Sequence, residues 1–373
     1  MRIGIDGREL LHKRTGVGRV LGELCREWLT SNQASEHEFL LYTPEGGTDL
    51  SVLGPPFTDK SHHRFRHRSV PGRPGTWWEQ IALSRVAARD ALDLFFAPAY
   101  SAPLRLTVPT VVTMHDVSFI AHPEWFGWRE GLRRRWLAER TMARADAIIS
   151  VSAFTRSEIL RFYDVQPERV RVVLSGVTPQ VASGTKHASR LSVLFVGSIF
   201  NRRHLPTLIR AFTRVRRTFP EARLTVVGTD RTSPKQDLPS SVRQAGLEGS
   251  VSFRSYVSES ELSELYQRAT VFAFLSEYEG FGLPPLEAMS AGVPVVVADT
   301  PVARELYKDA ALFVPVGDTI ATAEAIQTLL ADESVRDHQL QHTAAVLPAY
   351  AWKRAADETL DVFKWAATAR VGT

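Results

Sequence analysis

The sequence predicts an α/β chain of two Rossmann-like, doubly wound domains that face each other across a cleft. Two observations lead there. Short runs of β-branched and aromatic residues alternate with longer amphipathic stretches along the whole chain, the pattern of parallel strands covered on both faces. The alternation breaks once, at residues 176–190 (GVTPQVASGTKHASR), whose small, polar and turn-forming residues read as a linker. A length of 373 residues suits two or three domains of ordinary size.

In the first half, RIGID (2–6), EFLLY (38–42), LDLFFA (92–97), TVVTM (110–114), DAIISV (146–151) and RVVL (170–173) are strand-like in length and composition. Helical patterns such as VGRVLGELCREWL and GLRRRWLAERTMARA separate them. After the linker come LSVLFVG (191–197), ARLTVVG (222–228), VSF (251–253), TVFAFL (270–275) and PVVVAD (294–299), again with helices between. The expected domains are residues 1–180 and 190–350, closed by a helical tail at 351–373.

Composition narrows the class. One cysteine, Cys25, rules out an internal disulfide and a cysteine zinc site, and it reads as a small buried residue. The N-terminal residues form a strand pattern rather than a leader, and no apolar run is long enough to span a bilayer, so a cytoplasmic protein is expected. Residues 1–175 carry 24 Lys and Arg against 20 Asp and Glu, and the remainder is balanced. Two basic patches interleaved with aromatics stand out. One is His62–His67 with Arg68; the other holds Trp125, Phe126, Trp128, Arg129, Arg133, Arg134, Arg135 and Trp136. Such patches suit an anionic partner, a membrane surface on the inner face or a phosphate-bearing acceptor, or else are solvated helix faces. No nucleic-acid partner is indicated.

The most informative stretch is SEYEGFGLPPLEAMSAGVPVVVAD, residues 276–299. It follows a strand and enters a helix near Leu283. Glycines at a helix start let backbone N–H groups approach a phosphate, and the helix dipole favours that charge. Glu279 beside this turn would repel a phosphate, so it is better read as an acceptor for sugar hydroxyls. Glu287, further into the helix, can reach a second set. A phosphate cradle between two hydroxyl-binding carboxylates fits a nucleoside diphosphate sugar. In VGSIFNRRHLPTLIRAF (196–212), Arg202 and Arg203 follow a strand end, where cations can neutralise a departing diphosphate. Near the N-terminus, Gly16 and Gly18 precede a helix. Their spacing with Gly22 departs from the dinucleotide fingerprint, yet such a loop can approach phosphate or an acceptor. His115 and Asp116 stand at the end of the TVVTM strand, with the weaker candidates His122 and Glu124 beyond.

The E-x(7)-E spacing of Glu279 and Glu287, followed by AMSAGVPV, resembles the signature of family 4 of the retaining glycosyltransferases. The similarity is clear over residues 192–366 and looser over 1–177. It implies the GT-B fold, an acceptor-side first domain, a nucleotide-sugar-binding second domain, and a terminal helix from Tyr350-Ala-Trp352 crossing back to the first. It implies that Glu279 touches the donor sugar and acts in catalysis with His115, and that Glu287 holds the ribose. The amides of Gly280, Phe281, Gly282 and Leu283 would cradle the diphosphate, and Tyr256 and Val257 would line the base pocket. Gly16 and Gly18 match the family's N-terminal glycine loop. Arg203 replaces the family's usual Lys, and Ser175-Gly176 its usual Asn-Gly. HPEWF and SIFNRRH look most like members that transfer mannose in surface polysaccharide assembly.

The resulting expectation is a hexosyltransferase using GDP-mannose, or a UDP-sugar, on a glycan or lipid-linked acceptor. No cofactor and no metal are expected, because no D-x-D pair sits among the site candidates. Domain closure over the donor is expected. A nicotinamide oxidoreductase lacks its fingerprint here. An epimerase or hydrolase on the same fold would consume donor without acceptor, and a silent binding module would transfer nothing.

Overall fold

The computed structural model describes residues 1–11, 16–45, 64–179 and 191–369. His62 and His63 of the first basic patch, and linker residues 180–190, lie outside the described residues. The chain forms two compact units, Met1–Gly176 with Tyr350–Thr373, and Val177–Ala349.

The first unit is a seven-stranded parallel sheet. Its strands are β1 (Arg2–Asp6), β2 (Glu38–Pro44), β3 (Phe65–Val70), β4 (Leu94–Ala97), β5 (Thr110–Met114), β6 (Ala147–Ser150) and β7 (Val170–Val172). The spatial order is β3-β2-β1-β4-β5-β6-β7. Alternate residues feed two separate cores because both faces are covered. Ile3, Phe39 and Phe96 pack on one side with Trp28 and Phe363, while Leu40, Phe95 and Val112 pack on the other with Met142. Cys25 is fully buried in the first of these cores. The helix Trp352–Ala369 belongs to this unit. The Trp28 indole stacks on Phe39 at 5.2 Å and donates to the Ala356 carbonyl at 3.1 Å, which ties that helix to the helix Gly16–Thr30.

Strand β3 is absent from the sequence reading for a physical reason. FRHRSV is an edge strand whose apolar residues, Phe65 and Val70, stand only at its two ends, with four exposed residues between them. Its basic residues are satisfied locally. Arg64 donates to the Trp28, Leu29 and Ser31 carbonyls at the end of the first helix; Arg66 pairs with Glu38 at 2.8 Å and Arg68 with Asp90.

The second unit is a six-stranded parallel sheet of β8 (Ser192–Val196), β9 (Arg223–Val227), β10 (Val251–Arg254), β11 (Val271–Phe274), β12 (Val295–Ala298) and β13 (Leu312–Val314). The order is β10-β9-β8-β11-β12-β13. The chain therefore reverses direction of travel between β8 and β11, and in the first unit between β1 and β4. Ligands of doubly wound sheets sit beyond the strand ends at such switch points.

Beyond β1, at the switch point of the first unit, lies a buried charge cluster that sequence reading passes over. Arg8, just beyond β1, contacts Asp6 at 2.9 Å and Glu79 at 2.5 Å. Glu79 sits on a π-helical stretch, Trp78–Leu83, and also accepts from the Ser101 hydroxyl at 2.7 Å. Burial pushes the Asp6 carboxyl up to about 6, against the pull of Arg8. A carboxyl raised in the folded state loses stability as pH rises through that value. Replacing Arg8 by Met leaves two buried carboxylates uncompensated and is expected to cost about 3–5 kcal/mol in denaturant melts at neutral pH. The deficit should shrink near about pH 4, where Asp6 is protonated.

Candidate active site

Beyond β8 the chain turns at Gly197 (φ +139°), and a short turn, Asn201–Arg203, leads into the helix Leu205–Thr218. A side chain at Gly197 would place its Cβ 2.3 Å from the Arg203 guanidinium, so glycine leaves the space that this cation fills. Arg203 donates through Nε to Glu279 at 2.8 Å and through Nη1 to the Ser198 carbonyl at 2.8 Å. Its guanidinium also lies 4.9 Å from the centre of the Phe274 ring. Arg202 stacks on Phe200 at 4.6 Å. The two loops are joined by backbone as well, since the Glu277 amide donates to the Arg202 carbonyl at 2.9 Å. His204, in the left-handed region at φ +49°, reaches Glu277 at 2.9 Å.

Glu279 follows β11. Ser276 donates its hydroxyl to the same Glu279 oxygen at 2.9 Å. Burial alone would raise this carboxyl. The charges of Arg203 and Arg202, with hydrogen bonds from Arg203 and Ser276, instead hold it below the usual glutamate range. It is therefore an acceptor at neutral pH. The turn ends at Gly282 (φ +109°), which caps the helix Leu283–Ser290 without any side-chain hydrogen bond. Pro284 and Pro285 remove two of the donors that a helix start normally leaves over. The Tyr307 hydroxyl donates to the Gly282 carbonyl at 3.0 Å. Four residues into the helix, Glu287 is buried, and the Tyr266 hydroxyl donates to it at 2.8 Å.

The expected donor-site residues thus divide. Arg202, Arg203, Glu279, Gly280, Phe281, Gly282, Leu283 and Glu287 come together around the β8–β11 switch point. Tyr256, which is exposed, and Val257 lie past β10 at the sheet edge. In the first unit, Gly16 and Gly18 open the helix itself rather than preceding it. Gly18 lies so close to the Glu9 carbonyl that a Cβ would meet it at 2.2 Å, while Gly16 faces open space. His115 follows β5; its Nε2–H donates to the Pro98 carbonyl at 2.8 Å, and burial lowers its pKa, so the ring is neutral with Nδ1 as acceptor. Asp116 accepts from the Ser118 amide and hydroxyl at 2.8 and 2.6 Å, which folds the loop locally. His122 stacks on Trp125 at 3.9 Å.

Residues 14–181 match the model for Glycosyltransferase Family 4, and residues 180–345 match that for Glycosyl transferases group 1. The chain belongs to the family 4, group 1 glycosyltransferases. This glycosyltransferase is 28% identical to the O-antigen chain mannosyltransferase B of Escherichia coli over 302 residues, 74% of this chain and 76% of that one. It is 26% identical over 364 residues to the GDP-mannose:cellobiosyl-diphosphopolyprenol alpha-mannosyltransferase of Xanthomonas oryzae pv. oryzae, covering 90% and 92% of the two chains. Anabaena Alr3699/HepE, solved with UDP and glucose, shares the GT-B fold with a TM-score of 0.76 at 20% identity, over 98% of this chain and 99% of that one.

Sequence reading of this glycosyltransferase missed Tyr266, Tyr307, Gly197 and Ser276. Ser276 lies inside the motif and could have been flagged as a local donor to Glu279. Tyr307 is 25 residues from Gly282 and meets it only through folding, so the sequence carries no signal for it. That contact yields a test. Gly282→Ala meets both the left-handed backbone and the Tyr307 hydroxyl, 2.1 Å from the added Cβ. It should cost about 1–3 kcal/mol in thermal or urea melts. Adding Tyr307→Phe should recover only the steric part.

Proposed function

We propose that this glycosyltransferase moves a hexose, with mannose favoured, from a nucleoside diphosphate sugar to a hydroxyl of a glycan or lipid-linked acceptor. The transfer retains anomeric configuration and uses no protein-held metal. The observation that carries this reading is the largely buried Arg203–Glu279 pair, 11% and 15% exposed, beside the Gly280–Gly282 turn at the β8–β11 switch point. It supplies a fixed cation and an ionised acceptor next to a glycine-lined helix start, which is the chemistry that a sugar diphosphate needs.

In this reading the second unit holds the donor and the first receives the acceptor. Glu279 accepts hydrogen bonds from donor-sugar hydroxyls, and Glu287 from the ribose. Arg203, Arg202 and the amides of residues 281–283 take up charge as the bond from the anomeric carbon to the diphosphate oxygen breaks. The acceptor oxygen bonds to the same face of that carbon, and its proton passes to the departing phosphate oxygen. The anomeric carbon has oxocarbenium character on the way. His115, neutral and tethered to Pro98, offers Nδ1 as an acceptor for a sugar hydroxyl rather than a positive charge. Two of the mannosyltransferase relatives support the choice of sugar, and one of them names GDP-mannose as its donor. Among the described residues no group of three or more His, Cys, Asp or Glu could hold a metal ion.

Glu279→Gln is expected to lower turnover by about a hundredfold or more; because it leaves the Arg203 charge without its carboxylate the melting temperature should also fall, and circular dichroism at the assay temperature shows that the variant is still folded. Unchanged transfer by that variant contradicts the assignment. A thermal-shift screen of GDP-, UDP-, ADP- and TDP-sugars is expected to give GDP-mannose the largest stabilisation. A larger shift with a UDP-sugar would reassign the donor, and donor consumption without acceptor would point to hydrolysis.

A further inference from the structure

The turn Asn201–Arg203 carries both arginines of the candidate donor site, and it is anchored on two sides. On one side the Asn201 side chain accepts from the Ser233 amide at 2.9 Å and donates to the Pro234 carbonyl at 3.2 Å, which ties the turn to the loop after β9. On the other side the His204 Nε2–H donates to the Glu277 carboxylate at 2.9 Å, and the Glu277 amide donates to the Arg202 carbonyl at 2.9 Å. Arg202 and Arg203 therefore stand between two fixed residues. Successive basic residues of this turn meet alternate acids of the loop after β11: Arg203 meets Glu279, and His204 meets Glu277. The His204 and Glu277 side chains are 24% and 32% exposed, so their bond adds little stability and its value lies in geometry.

Histidine is a poor local choice at position 204. The backbone there is left-handed, at φ +49° and ψ +37°, where glycine and asparagine fit more readily. The residue also precedes the helix Leu205–Thr218, to which it gives no side-chain capping bond. An asparagine would ease the backbone and could cap the helix. What the imidazole adds is reach, since its Nε2–H spans to a carboxylate 73 residues away in the chain. A local preference overridden for one long-range contact beside a ligand site points to a role in function.

We propose that His204 and Glu277 are positioning residues for sugar transfer. Their hydrogen bond sets the register of the two loops, so the Arg203 guanidinium is in place when charge develops on the departing diphosphate. The assignment rests on the donor reading given above. Neither residue touches the donor in this scheme; both act through Arg203. Because a misplacement of about 1 Å can lower a rate about a hundredfold, a small slip between the loops is enough.

The test measures transfer from GDP-mannose by the full chain and by His204→Asn, Glu277→Ala, Glu277→Gln and the His204→Asn/Glu277→Ala double variant. The Asn and Ala variants should lose about ten- to a hundredfold in kcat, with the donor KM within about threefold of the parent. The double variant should be no slower than the slower single one, because both remove the same bond. Glu277→Gln keeps an oxygen within reach of the ring and should recover most of the rate. Hydrogen exchange of the Glu277 amide should speed up in the Asn and Ala variants alike, which reads the loop register without the reaction. Circular dichroism confirms folding at the assay temperature. Parent-like kcat in the Asn and Ala variants would overturn the proposal. So would additive losses in the double variant, a Gln variant as slow as the Ala one, unchanged exchange, or a loss confined to KM, which would set His204 against the donor itself. If the parent transfers sugar and the variants match it, this proposal alone fails. If the parent transfers none from any nucleoside diphosphate sugar, the donor reading fails and the proposal with it.

Discussion

The ion pair between Arg203 and Glu279 is the constraint on which the candidate site rests. A largely buried pair of this kind contributes little net stability, because desolvating both charges offsets their attraction. Its value lies in position. Glu279 and Ser198 fix the guanidinium from two sides, Phe274 supports its face, and Gly197 vacates the space it occupies. Glu279 is fixed in turn by Ser276. Two loops from strands adjacent in the sheet but distant in sequence are thereby locked at one place, so a ligand meets charges already oriented.

The two units repeat this device. In each, the switch point carries an arginine beyond the first strand of the sheet, paired with a carboxylate from a later segment: Arg8 with Glu79 beyond β1, Arg203 with Glu279 beyond β8. The first cluster is more congested, with Asp6 adding a second carboxylate, and burial leaves that group poised to take a proton. The second holds its glutamate ionised. Similar architecture therefore gives two environments of opposite character, one reluctant to carry negative charge and one committed to it.

Much of this was legible in the sequence, for identifiable reasons. Buried parallel strands such as TVVTM and TVFAFL must be apolar on both faces, so composition exposes them. The edge strands β3 and β13 escape because an edge has fewer neighbours to satisfy; β3 is polar and β13 only three residues long. The Glu279–Glu287 string was readable because turn, helix start and both acids are contiguous. The partners Tyr266 and Tyr307, and the Arg8–Glu79 contact across 71 residues, arise from tertiary packing and leave no local trace. Gly16 and Gly18 read as preceding the helix that they in fact open, since a helix beginning on glycine lacks the usual capping signal.

The most direct measurement is a crystal structure with nucleoside diphosphate sugar bound. The pyrophosphate should lie against Arg203 and the amides of Phe281–Leu283, with sugar hydroxyls on Glu279 and the ribose on Glu287. A nucleotide seated elsewhere, with the Arg203–Glu279 pair untouched and the glycine turn empty, would contradict the central claim.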